Sequence, residues 1–261
     1  DTGSRNVAIG HEALATQNYG TTNYNTAVGH HAGNDVTTGI GNTFLGALAG
    51  DATDDGQYNV AVGYASLSAN CGNDNTAVGV GALEVTTVAN NTAVGRAAGT
   101  ALTSGATNTF IGSLAGVATI DSSDNTAVGY NSLGADSGGT NTAVGATALQ
   151  VTTGYDNTAV GYSAGSPLTS GYNNLILGHD AGVSGSPGGA RTNDNNGISL
   201  ADENITVAHV QVDWTIASDE RDKTDFTALD LGLDFVKALA PVTYKWDKRA
   251  KYIDKTQDDW A

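Results

Sequence analysis

The chain has 261 residues, 35 of them Gly, and its 39% apolar content comes mostly as Ala and Val, with 4 Phe and no Met. Short apolar residues punctuated by Gly suit thin stacked coils rather than a globule with a large aromatic core, and collagen is excluded because Gly does not recur at every third position. The net charge is −16, with two basic groups (Arg5, Arg96) against thirteen acidic ones before residue 191, so this stretch lacks the cationic stripe that nucleic acid or an anionic membrane requires.

The length fits one ordinary domain, or one solenoid with a small extra module. Cys71 is the single cysteine and forms no intrachain disulfide. No 18-residue apolar run and no signal peptide are visible, so membrane insertion is not expected. A chain that opens at Asp1 and contains no Met reads as a fragment or a processed product.

From residue 6 onward the chain repeats itself. The stretch Asn75-Thr76-Ala77-Val78-Gly79 occurs eleven times, intact or varied, opening at Asn6, Asn25, Asn42, Asn59, Asn75, Asn91, Asn108, Asn125, Asn141, Asn157 and Asn174. A fixed period of this kind is the signature of a repeat architecture. Thr-Ala-Val is a short period-two strand, with Ala77 on one face and Thr76 and Val78 on the other. Both faces carry apolar groups, and such a strand wants cover on both. The coil interior can cover Ala. The other face needs a partner outside the coil, which predicts an oligomer. The opening Asn is expected to stack as an amide ladder from coil to coil, and the Gly that closes each strand suits a turn with positive φ.

The spacing holds a second regularity. Coils carrying Leu67, Leu83, Leu133 or Leu149 are 16 residues long, whereas coils carrying Gly33, Gly50, Gly99, Gly116 or Gly165 are 17. The two types alternate in pairs, so Asn42, Asn108 and Asn174 lie 66 residues apart, and these three coils also carry the bulky variants Phe44-Leu45, Phe110-Ile111 and Ile176-Leu177. The real unit is therefore four coils, with the bulky ones plugging a recurring gap. The first coil is three residues too long for its Leu type, as a cap would be. At about 4.8 Å per coil the stack would rise roughly 50 Å.

The fold expected is all-β: a parallel β-solenoid of about eleven 16–17-residue coils over residues 1–182, a loop and β neck over 183–217, and a short α+β segment over 218–261. Over residues 6–182 the repeat resembles the left-handed parallel β-roll of YadA-type trimeric adhesin heads and the Asn-Thr-Ala-Val-Gly repeats of phage tail-fibre proteins. That resemblance implies the left hand and a homotrimer.

Candidate sites on the shaft are few. The acidic loops Asp51–Gly56 and Asp121–Asp124 make calcium a candidate ligand by their oxygen donors, but match neither an EF-hand nor a nonapeptide calcium repeat; no other cofactor is expected. Tyr58, Tyr64, Tyr130, Tyr155, Tyr162 and Tyr172 recur at coil edges, where an exposed ring could stack on a sugar. His11, His30, His31 and His179 lack a partnered metal spacing and read as surface residues.

After Gly182 the repeat fails. Ser184–Gly189 and Asn193–Gly197 read as loop, and Ile198–Ile216 alternates like one or two strands of a neck. At Ser218 the chain turns polar and charged. Thr227–Ala240 then places Leu229, Leu233, Val236 and Leu239 on one helical face, with Pro241 as its stop, and Val242–Trp246 reads as a strand. Ser218-Asp219, Arg221 and Lys223, with Leu239, Pro241, Tyr244 and Trp246 downstream, resemble the start of the endosialidase-type intramolecular chaperone at the C-terminus of phage tailspikes and fibres. In that family the module trimerises, guides folding of the β-structured shaft and cuts itself off. The resemblance implies Ser218 as nucleophile, Lys223 as its base and scission next to Ser218. A Ser needs such a base at neutral pH, and a Lys serves if burial lowers its pKa. Asp222, where the family usually has an apolar residue, favours a charged Lys223, and 43 residues after Ser218 are fewer than the module needs.

These readings describe a structural and interaction protein. It would be a homotrimeric phage tail fibre or spike segment on the virion tail, meeting a host cell-surface receptor, a glycan among the candidates. Alternatives are a trimeric adhesin on a bacterial surface and a monomeric ice- or sugar-binding solenoid, the latter motivated by the row Thr76, Thr92, Thr126, Thr142, Thr158. A depolymerase would need paired carboxylates in a groove, and no pair stands out in the repeats. Enzymatic activity would be at most the single-turnover Ser-Lys self-cleavage.

Overall fold

A computed structural model describes residues 5–17, 23–186 and 188–207. The chain divides into two compact units, Asp1–Ala208 and His209–Ala261, and all the described residues belong to the first.

Each repeat contributes one three-residue strand. In chain order these are β1 (Val7–Ile9), β2 (Thr26–Val28), β3 (Thr43–Leu45), β4 (Val60–Val62), β5 (Thr76–Val78), β6 (Thr92–Val94), β7 (Thr109–Ile111), β8 (Thr126–Val128), β9 (Thr142–Val144), β10 (Thr158–Val160), β11 (Leu175–Leu177) and β12 (Ile198–Leu200). They form a single sheet in sequence order. Every pairing is parallel and in register, so that Thr76, Ala77 and Val78 sit over Thr92, Ala93 and Val94. The fold is a parallel β-solenoid, with no helix among the described residues.

Hydrogen bonding between coils continues around the turns, which explains how such short strands persist. In the second coil the N–H groups of Gly29 and His31 donate to Ile9 O and His11 O below, at 2.8 and 2.9 Å, while those of Gly33 and Asp35 donate to Ala49 O and Asp51 O above, each at 2.9 Å. Backbone polar groups that a thin coil could not satisfy internally are satisfied by its neighbours. The Gly closing each strand is required by this closeness. Gly63 has φ +131°, and a Cβ there would lie 2.6 Å from Gly79 O.

The opening Asn forms a ladder, though not by amide stacking alone. Asn91 Oδ1 accepts the backbone N–H of Asn108 at 3.0 Å, as Asn75 Oδ1 accepts that of Asn91 at 2.9 Å. Its Nδ2 instead crosses its own coil to Gly105 O at 3.0 Å. Direct amide-to-amide bonds occur where Asn108, Asn157 and Asn174 donate to the Asn below at 3.0 to 3.1 Å. The backbone N–H reaches the amide oxygen in coil after coil because strand pairing holds it over that atom, at 2.8 Å for Asn42 and 3.1 Å for Asn174. In the coils of Asn59 and Asn125 the Nδ2 is buried without a hydrogen-bond partner, so the cross-coil bond is not universal.

The interior is a narrow tube. Strand centres from Ala27 to Ala159 are fully buried, and so are Leu67, Leu83, Leu133 and Leu149. Phe44 and Phe110 occupy strand centres and are also fully buried, as is Ile176 at 1% exposure. Space for each ring comes from Gly in two successive coils. A Cβ on Gly99 would stand 2.7 Å from Phe110 Cδ2, and one on Gly116 would stand 2.6 Å from Cδ1. The bulky strand centres thus plug the gap that paired Gly coils leave, as the four-coil spacing predicts.

The sheet runs one rung past the last repeat copy. β12, within the stretch assigned to the neck, pairs with β11, setting Ser199 against Ile176. Gly197 takes the Asn position, its N–H donating to Asn174 Oδ1 at 2.9 Å, and Ala201 takes the closing Gly position with φ +67°.

Candidate functional site

The outward face of the sheet carries the first and third strand residues. The third is apolar in every rung from Ile9 to Leu200, and Leu45, Val94, Ile111 and Val160 are exposed. A row of β-branched and aliphatic side chains along a sheet face is the kind of surface that another chain covers. The in-register stack makes it continuous.

The residue after each closing Gly forms a second row. It includes His11, His30, Tyr64, Tyr130, Tyr162 and His179, and the three Tyr are each more than half exposed. Tyr162 stacks on His179 with ring centroids 5.2 Å apart. In a neighbouring row Tyr155 stacks on Tyr172 at 5.0 Å. Tyr58 and Tyr24, each directly before the opening Asn of its coil, are also exposed.

At the N-terminal end the stack brings together His11, His30 and His31, with one ring nitrogen of each within 4.8 Å of the others. Glu12 Oε2 lies 2.7 Å from His31 Nε2 and 3.9 Å from His11 Nδ1. Chain spacing gives no metal pattern here because His11 and His30 are 19 residues apart; only coil stacking makes them neighbours. The usable signal is that both follow the closing Gly of their coil.

The acidic loops behave as parts of the stack. Asp54 and Asp124 each accept the hydroxyl of a Thr one coil below, Thr37 and Thr107, and Asp156 accepts that of Thr140. Asp51 Oδ1 is buried without a partner, and burial, reinforced by the Asp35 charge, raises its pKa above the ordinary carboxylate value. Among the described residues no acidic group draws three carboxylates together. A depression beside β10, β11 and β12, lined by Asp156, Thr158, Asn173, Leu175, Asn196 and Ile198, holds one carboxylate, where the acid-base pair of glycoside hydrolysis is two. Cys71 is 2% exposed, and burial raises its thiol pKa, the setting of an inert structural cysteine.

Arg191 closes the C-terminal end of the tube. Its backbone N–H donates to Gly182 O at 2.8 Å, its Nε to Ser199 Oγ at 2.9 Å, and its guanidinium pairs with Asp194 at 3.5 Å. Its Cγ would meet a Cβ on Gly182 at 3.3 Å, so the aliphatic stem fills the space beside that glycine. In sequence Arg191 sits in a loop-like stretch with nothing to mark it as interior.

Ser218 and Lys223 lie outside the described residues, as do the expected helix at Thr227–Ala240 and the strand at Val242–Trp246. Residues 218–260 match a family described as the chaperone of endosialidase. Comparison with curated proteins and with solved structures returns no match.

Proposed function

We propose that the chain is the shaft of a homotrimeric phage tail fibre or spike that serves host attachment, joined to an intramolecular chaperone that assists its assembly. The observation that carries this reading is the chaperone-of-endosialidase match at 218–260, C-terminal to a repetitive solenoid whose outward sheet face is apolar in every rung. The two fit each other physically. Identical coils can pair one whole period out of step, and a three-residue strand does little to forbid it. A module that fixes three chains in register before the shafts zip together removes that ambiguity. Three chains can then cover one another's Leu45, Ile111 and Val160.

Ser218 is the nucleophile of a single self-cleavage and Lys223 the base that takes its proton. Host contact falls to the exposed rings Tyr64, Tyr130 and Tyr162, whose faces suit the apolar side of a sugar.

Light scattering combined with a denaturing gel tests this reading. Ser218→Ala is expected to form a particle of three times the 26.3 kDa chain mass, and wild type a trimer whose chains are cut beside Ser218 and run correspondingly shorter on the gel. A stable monomer would overturn the fibre reading. A trimer of whole wild-type chains would retain the shaft and remove the cleavage.

A further inference from the structure

We propose that His11, His30 and His31 bind one divalent transition-metal ion of the zinc class, and that the ion clips the first coil to the second. His11 and Glu12 follow Gly10, and His30 and His31 follow Gly29. The β1–β2 register sets Ile9 beside Val28, which places the two pairs one above the other. The rings are already gathered. Centroids of His30 and His31 lie 4.1 Å apart, and those of His11 and His30 lie 5.5 Å apart. Each offers a nitrogen within 4.8 Å of the other two. A tetrahedral ion with Zn–N bonds of about 2.0–2.1 Å wants nitrogens about 3.4 Å apart. The rings now lie stacked, with planes 13° to 24° apart, so ligation requires χ rotations that turn their in-plane lone pairs toward one point, and His11 and His30 are exposed and free to make them. The backbone need not move. The His31 N–H already donates to His11 O at 2.9 Å.

Glu12 supplies what a bare histidine cluster lacks. Its carboxylate sits 2.7 Å from His31 Nε2, the position of the outer-shell acid that orients a ligating imidazole and raises its basicity. Glu12 and His31 both have φ +56°, so the same backbone turn in successive coils directs both side chains. Three imidazoles select zinc, copper or nickel over calcium, which prefers oxygen. The location gives the ion a task. β1 is the terminal rung and all three of its residues are exposed. An ion shared between His11 on the first coil and His30 and His31 on the second ties down a sheet edge that otherwise frays or pairs out of place.

Titration calorimetry of the metal-free full chain with zinc chloride tests the proposal. One saturable site per chain is expected in wild type and in His179→Ala, whose ring occupies the equivalent position in the last repeat beside Asp180 and Asp202 instead of further imidazoles. His30→Ala should abolish the site, and Glu12→Gln should weaken it roughly tenfold to a hundredfold. Zinc should raise the melting temperature of wild type but not of His30→Ala, and the two should melt alike without metal. The proposal is overturned if wild type shows no saturable heat, if His30→Ala titrates like wild type, or if calcium chloride gives the same isotherm as zinc.

Discussion

The coils that carry Phe44 and Phe110 and those that carry Leu67, Leu83, Leu133 and Leu149 fill the same tube in opposite ways. In the Leu coils the strand centre is Ala and the bulk comes from the turn, where each Leu is held at φ +47° to +48°. A left-handed conformation costs a branched residue about 1–2 kcal/mol, and burying its side chain contributes about 1.5–3 kcal/mol, so burial outweighs strain. In the Phe coils the turn residue is Gly at φ +59° to +60°, which removes the strain, and the ring reaches across from the sheet instead. The two solutions share one backbone and differ in which wall supplies the volume. The interior is therefore specified by the sum across the tube rather than by any single position.

Exchanging one solution for the other breaks this comparison most directly. Phe110→Ala empties the tube over two coils and should destabilise by about 3–5 kcal/mol. Gly116→Leu alone should also destabilise, because the new side chain meets the ring. The double variant imitates a Leu coil, and its thermal melt should recover a good part of the single losses. A double variant that falls by the sum of the two would show that the walls are not interchangeable.

A smaller effect separates coils by their Asn. Asn91→Ala removes the acceptor for both the N–H and the Nδ2 of Asn108 and the bond to Gly105 O. It should cost about 1–3 kcal/mol for the donor left buried, beyond the lost cross-coil bond. Asn125→Ala removes the acceptor for the Asn141 N–H but no cross-coil bond, since that Nδ2 has no partner. Denaturant midpoints should therefore fall further for Asn91→Ala, and equal falls would deny the cross-coil bond and the Asn108 amide bond together any net worth.

The smallest effect contrasts the two Phe coils. Asp51 stands where the second Phe coil has Val117, and burial raises its pKa while Asp35 adds repulsion and His31 opposes it. A carboxyl whose folded pKa lies above its unfolded value penalises the folded state once it ionises. Stability contributed by the neutral form is full below the unfolded value and is lost as pH rises through the folded one. Asp51→Asn should therefore raise the melting temperature at pH 7 and leave it nearly unchanged at pH 3. A gain at pH 3 as large as that at pH 7 would assign the effect to packing instead of charge.

Much of the fold was legible because a solenoid is local. Asn-Thr-Ala-Val-Gly marks each strand, and the alternation of 16- and 17-residue coils located the bulky strand centres. β12 was expected as a neck strand opening at Ile198, but its place as a twelfth rung was hidden because Gly197 and Ala201 replace the two marker residues, while Ser199 keeps only the small size of the central one. Arg191 was hidden for a different reason: its stem enters the tube from an insertion that follows no period. Sequence also pointed to Ser218 and Lys223 by resemblance, and these residues lie outside the described part of the chain.

The amino-acid sequence by itself determined the repeat, the strand centres that face inward and the apolar row that faces outward, since all three follow from the side-chain alternation of one short strand copied many times. Only the tertiary structure decided which residues of different coils become neighbours. His11 meets His30, Thr37 meets Asp54, and Phe110 rests between Gly99 and Gly116, because parallel in-register stacking turns a separation of one coil into direct contact.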